Sequence, residues 1–164
     1  CAALGCDGVV LGVLDADGKV DMPRCCALIA VAGKLGVTFH RAFDLTRDPL
    51  ASLDTLVALG CERVLTSGAQ ASAIEGAGLI RQLVELAAGR IVVMPGAGVD
   101  AGNIGKLREL TGAGEFHASA KRQHPSAMQW QPELLKDMQG GELRSDVEQI
   151  RGMVAALNSA AASR

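Results

Sequence analysis

One unit recurs along this chain: an apolar strand, a polar turn and an amphipathic helix. Candidate strands are "DGVVLGVL" (Asp7–Leu14), "VTFHRAF" (Val37–Phe43), "ERVLTSG" (Glu62–Gly68), "RIVVMPGAG" (Arg90–Gly98) and "GEFHASA" (Gly114–Ala120). Their starts lie roughly 24 to 30 residues apart, the length of one βα unit. Their centres are Val/Ile/Leu runs, the pattern of parallel strands covered on both faces. A chain of such units has two common outcomes, a closed barrel or an open doubly wound sheet. Composition agrees. Of 164 residues 49% are hydrophobic and 20 are Gly, while Tyr is absent, which suits closely packed α/β structure and not disorder.

The helices have readable ends. Asp21 can cap a helix that carries Pro23 in its first turn and fades at Gly33. Asp48 followed by Pro49 is a cap with proline at the first helical position, and Leu50, Leu53, Leu56 and Val57 follow at helical spacing up to Gly60. A third helix is expected over about 72–88, stopped by Gly89 and weakened in its first half by Gly76 and Gly78. A shorter one covers about 101–110. The last follows Ser145, with Val147, Ile150, Val154 and Leu157 on one face.

Two segments are near copies, "LGCDGVVLG" (Leu4–Gly12) and "LGCERVLTSG" (Leu59–Gly68). In each, Gly ends a helix, Cys follows, and an acidic residue leads the strand. The copy implies that the first residues are the tail of a helix and that more chain precedes Leu4. A (β/α)8 barrel needs eight units and about 250 residues. Three further units of about 27 residues would supply most of the shortfall. The expected fold is therefore α/β: a partial TIM barrel of about five parallel βα units, forming one domain over 1–164. The alternative, a complete doubly wound domain of five strands, leaves the truncated start unexplained.

Charge and cysteines exclude several classes. Net charge is −2, and no basic run or aromatic stripe suggests nucleic acid. No apolar run is long enough to span a membrane. Five cysteines is an odd number, and none forms a C-x-x-C pair, so neither a zinc knuckle nor a thioredoxin motif is present. Reduced cytoplasmic thiols are the simplest reading.

In a TIM barrel the working face is the C-terminal end of the strands. Polar residues gather there: Asp15 and Asp17; His40, Arg41 and Asp44; Thr66 and Ser67; His117 and Ser119. Side chains alternate along a strand, so Thr38 shares a face with His40, and His117 with Ser119. His40 and His117 are expected to point toward the barrel axis and, with Asp44, are the acid–base candidates. The plainer readings are a satisfied core histidine and an Arg41–Asp44 pair across the mouth. His124 is expected in a solvated loop. "PGAG" (Pro95–Gly98) would follow the seventh strand of a full barrel and "HASA" would end the eighth, where barrel phosphate sites lie. Gly96, Gly98 and Ser119 are the anion-binding candidates. His40, Asp44, Thr66, Gly96, Gly98, His117 and Ser119 are expected around one cavity.

The segments "VTFHRAFD", "RVLTSG", "IVVMPGAGV" and "EFHASA", with "GVVLGVLDADGKVDM" and "TRDPLASLDTLVALGCERVLTSG", resemble the copper homeostasis protein CutC family over about residues 2–130. The resemblance implies a TIM barrel, a cytoplasmic location and a link to copper, with no firmly assigned reaction. The family's first three βα units, including an acidic residue, a cysteine and an "RPRGGDF"-type loop, have no counterpart in this sequence. The 131–164 tail matches poorly, and "MQWQ" (Met128–Gln131) places Gln131 where the family commonly has a basic residue.

Copper would be taken as Cu(I), which favours sulfur and accepts imidazole. Cys6 and Cys61 precede their strands, at the structural end of a barrel. Cys25 and Cys26 are adjacent on a helix and point about 100° apart. These four read as small buried hydrophobes, and Met94 and Met128 read as core or thioether ligands. His40 and His117 remain as the metal candidates. Two functions follow: a cytoplasmic protein that binds copper without turnover, which is favoured and is compatible with a homo-oligomer; or a barrel enzyme acting on a small phosphorylated or carboxylated substrate.

Overall fold

The computed structural model describes residues 1–130, 133–134 and 141–162; Gln131 lies outside the described residues. Four strands form a parallel sheet: β1 (Gly8–Leu11), β2 (Gly36–Phe39), β3 (Arg63–Thr66) and β4 (Val92–Pro95). They are ordered β1-β2-β3-β4, each beside its sequence neighbour. A doubly wound sheet reverses its order at a switch point, whereas a barrel does not. The sheet is thus part of a barrel wall.

The helices start where the sequence signals them. Helix α1 (Met22–Ala32) is capped by the Asp21 carboxylate, which accepts from the Arg24 N–H at 3.0 Å. Helix α2 (Pro49–Ala58) is capped by Asp48, which accepts from the Ala51 N–H at 3.0 Å. Helices α3 (Ala77–Ala87), α4 (Ile104–Thr111) and α5 (Val147–Ala162) complete the layer. Of these, α2 packs on α3, α3 on α4, and α4 on α5.

Alternation along the strands makes two different faces. Val37, Phe39, Val64, Thr66, Val93 and Pro95 are buried on the helix side. Thr38, Arg63, Leu65, Val92 and Met94 are only partly buried on the other, which in a closed barrel is the interior. The Val/Ile/Leu runs therefore match a wall built for cover on both sides, of which the helices supply one.

The fifth expected strand, Gly114–Ala120, is the main departure. It reaches the right place beside β4, where His117 donates its N–H to the Pro95 carbonyl at 2.9 Å, but its ladder is a single parallel bridge between Gly96 and His117. Ala120 then takes a positive φ of 48°. The kink turns the chain into β5 (Lys121–His124), which pairs antiparallel with β6 (Glu142–Ser145). His124 is thus in a strand, not in the expected loop.

Helix α3 starts five residues later than expected, and Gly76 supplies the reason. A Cβ on Gly76 would overlap the Ser67 carbonyl oxygen, and one on Gly68 would overlap the Gly76 carbonyl. The glycine that weakens the helix lets its start lie directly on the turn after β3. Gly76→Ala is expected to destabilise the protein by about 1–3 kcal/mol through this forced backbone shift, measured by urea unfolding. Gly78→Ala, with nothing near its missing side chain, should instead be neutral or stabilising.

Candidate functional site at the sheet's C-terminal end

Strand β2 ends at Phe39, and the chain turns at once into a short 3-10 helix, Arg41–Leu45. His40 caps it: its Nδ1 accepts the Ala42 N–H at 3.1 Å. With Nδ1 an acceptor, the proton of neutral His40 sits on Nε2. The ring lies over Gly12, where any Cβ would overlap it. His40 therefore serves the β1–β2 side of the sheet end.

The 3-10 turn carries Asp44 back to the end of β3. Its carboxylate accepts the Thr66 hydroxyl at 2.5 Å, the Ser67 N–H at 3.0 Å, the Ala69 N–H at 3.2 Å and the Arg41 Nε at 2.7 Å. Its side chain is 7% exposed. Burial alone pushes the carboxyl up, but the Thr66 hydroxyl, the Arg41 guanidinium and the two N–H groups outweigh it and hold its pKa below the usual value. Asp44 is thus a structural anion and an orienting group.

Arg41 is the group so oriented. Its Nε is held by Asp44, and its Nη2 donates to the Ser67 hydroxyl at 2.7 Å. That hydroxyl has the Gln70 carbonyl at 2.6 Å as an acceptor for its own hydrogen. The Arg41 side chain is 45% exposed, and Arg41 lines a cavity of about 270 Å3 together with Leu65, Gly98, Val99, His117 and Ser119. Leu65 belongs to the partly buried face of the sheet, so the cavity opens at the mouth of the barrel wall.

Of the seven residues expected around one cavity, Gly98, His117 and Ser119 line it. Ala118, between His117 and Ser119, lines the cavity too, while Phe116 and Ala120 pack against the core. Gly96 lies behind the cavity, where a Cβ would come within 3.3 Å of the His117 Cβ. Asp44 and Thr66 reach the site through Arg41. His40 does not line this cavity, because its ring is tied to the 3-10 turn over Gly12. The Arg41–Asp44 pair read from the sequence is present, made within the 3-10 turn, whereas Ser67 was visible only as a polar residue near a strand end. The contact of Arg41 with Ser67 depends on a turn that brings Arg41 across β3, and no local pattern encodes that. Asp15 is used within its own loop, accepting from the N–H groups of Asp17 and Lys19, both at 2.9 Å.

A copper ion finds few partners here. Among the described residues no group of three or more His, Cys, Asp or Glu side chains is placed to hold a metal ion. All five cysteines are free. Cys25 and Cys61 are buried as expected, but Cys6 and Cys26 are exposed, because α1 turns only Cys25 inward. Burial pushes the Cys61 thiol up to about 11, with neighbouring Cys25 adding to it, and burial raises Cys25 as well. The ligand form, thiolate, is disfavoured at both. Met128 is exposed and Met94 only partly buried, so neither is a core residue. No helix among the described residues is long and apolar enough to cross a membrane.

The sequence model of the CutC family matches residues 1–122. The chain is 54% identical over 161 residues to a family protein CutC of Xylella fastidiosa strain 9a5c, an alignment covering 98% of this chain and 60% of that protein. It is 52% identical over 160 residues to one from Xanthomonas campestris pv. campestris strain B100, covering 98% and 67%. A copper homeostasis protein cutC homolog of Mus musculus is 52% identical over 126 residues, covering 77% and 46%. The chain thus spans about 60% of the length of the Xylella protein, and the tail that resembled the family poorly falls within these bacterial alignments. Among solved structures, a CutC protein from Streptococcus agalactiae superposes with a TM-score of 0.68 at 36% identity, covering 71% of this chain and 57% of that one. A structure named native KDPGal, at 15% identity and TM-score 0.58 over 98% of this chain and 62% of that one, shares the fold alone.

Proposed function

Because the chain belongs to the CutC family, we propose that it works in copper homeostasis, handling copper ions as Cu(I) in the cytoplasm without turnover. The observation that carries this reading is the likeness, at 52% identity, to a protein named for copper homeostasis. Five free cysteines suit a reducing compartment. Residues 1–164 act in this reading as one domain, the C-terminal portion of a barrel. His40 and His117 are its proposed copper contacts, used singly, since they do not share a cavity.

The test is a chelator competition for Cu(I). Replacing Cys25, Cys26 and Cys61 together by Ser is expected to leave affinity within about two-fold, less than 0.5 kcal/mol. A large loss of bound Cu(I), with the fold intact by circular dichroism, would assign the metal to the thiols instead. Absence of Cu(I) binding by this chain and by a full-length relative alike would end the copper-binding reading.

The Arg41 cavity favours a second reading. A guanidinium facing Gly98, His117 and Ser119 at a barrel mouth suits a small phosphorylated or carboxylated ligand, with His117 as the acid–base candidate. Titration of the protein with inorganic phosphate and with acetate, following the His117 ring resonances, tests it.

A further inference from the structure

The hydrogen bonds of Arg41 fix which edge of its guanidinium is free. A guanidinium offers two edges that can each grip a pair of oxygens: the side edge, Nε with Nη2, and the end edge, Nη1 with Nη2. Here the side edge is occupied. Nε donates to Asp44 at 2.7 Å and Nη2 to Ser67 at 2.7 Å. Both acceptors are fixed from behind, Asp44 by Thr66, Ser67 and Ala69, and Ser67 by the Gln70 carbonyl. Three N–H bonds remain, both on Nη1 and one on Nη2, and they have no acceptor among the described residues. Arg41 also borders the cavity, which no carboxylate lines.

Resting on the anion reading above, we propose that Arg41 anchors the ligand end-on, through two terminal oxygens of one carboxylate or phosphate group, and that Asp44 and Ser67 are positioning residues for it. Gly98, His117 and Ser119 border the rest of the bound molecule. Asp44 offsets the charge of Arg41, so the site suits a group of low charge recognised by geometry. A lysine at position 41 would keep the charge but lose the fork, and Arg and Lys are not interchangeable at such a site.

The experiment uses the whole chain, with inorganic phosphate and acetate as separate probes, and reads dissociation constants from the His117 resonances. Rotation of the Arg41 Nη groups is followed in parallel by nitrogen-detected spectra. The expected result is saturable binding of at least one probe, weakened about ten-fold or more in Arg41→Lys. In Ser67→Ala the expected loss is about three-fold or more, with faster Nη rotation and an unchanged fold. Wild-type affinity in Arg41→Lys would overturn end-on anchoring while leaving the anion reading in place. Unchanged affinity and rotation in Ser67→Ala would overturn the positioning role. If neither probe perturbs His117 in the unaltered protein, the anion reading itself fails. The stronger probe decides between phosphate and carboxylate.

Discussion

Asp44→Asn is expected to lower the unfolding free energy by about 3 kcal/mol or more. The side chain sits at the end of β3 with almost no exposure and accepts from four partners. An amide in the same place keeps one acceptor oxygen and presents an NH2 to neighbours that are themselves donors. Thr66 and Ser67 are fully buried, so water cannot replace the lost acceptor. Arg41 loses its countercharge at the same time. Asp54, an exposed partner of Arg90 at 3.1 Å, is the control: Asp54→Asn should cost no more than about 0.5 kcal/mol. Urea denaturation of both variants gives the comparison, and equal effects would mean that the Asp44 network contributes no more than a surface ion pair.

The same group makes stability fall in acid. Its folded pKa is depressed below the ordinary 3.8, so the unfolded chain binds this proton more readily than the folded one. The stabilisation is complete above 3.8 and is lost as pH falls through the lower folded value. Unfolding midpoints should therefore decline steeply below about pH 4 in the unaltered protein and less steeply in Asp44→Asn.

Self-association of the 164-residue chain is the other large expected effect. On α1 only Cys25 is buried, while Val31 is 85% exposed and Leu28 46% exposed. Val10 of β1, on the face away from the helices, is 65% exposed. By contrast Ile80 and Leu83 of α3 are fully buried. Apolar surface is thus left open at one side of the sheet, at β1 and α1, and at the other end of the chain on α5, where Val147, Ile150 and Val154 are 45–56% exposed. Each Å2 of apolar surface removed from water contributes about 25 cal/mol, so covering roughly 400 Å2 is worth about 10 kcal/mol. That matches the total stability of a typical domain, about 5–15 kcal/mol. The sedimentation coefficient and the thermal midpoint should both rise with protein concentration. Val31→Glu, at a position that touches little of the fold, should reduce the association. A single monomer peak with a concentration-independent transition would show that the open face is tolerated without a partner.

The sequence alone determined the parts of this protein that depend on neighbours in the chain. The βα repeat, the caps at Asp21 and Asp48, the stop at Gly33 and the glycines at positions 5 and 60 with φ near 75° are local matters. Each rests on a backbone dihedral or a hydrogen bond spanning a few residues, so residue type and spacing suffice. His117 and Ser119, adjacent but one in the chain, border one cavity as expected, though Ala118 between them borders it too. What only the tertiary structure decided are contacts between residues far apart in the chain. Asp44 meets Thr66 and Ser67, Arg41 reaches the loop after β4, and Gly76 lies on the turn after β3. Tertiary structure also separated His40 from His117 and reduced the fifth strand to one bridge. The ladder beside β4 is limited to the Gly96–His117 bridge, and the positive φ at Ala120 three residues later turns the chain into β5. Residues 114–120 carry the strand pattern in their composition, but the partner that would complete the strand is not encoded within it.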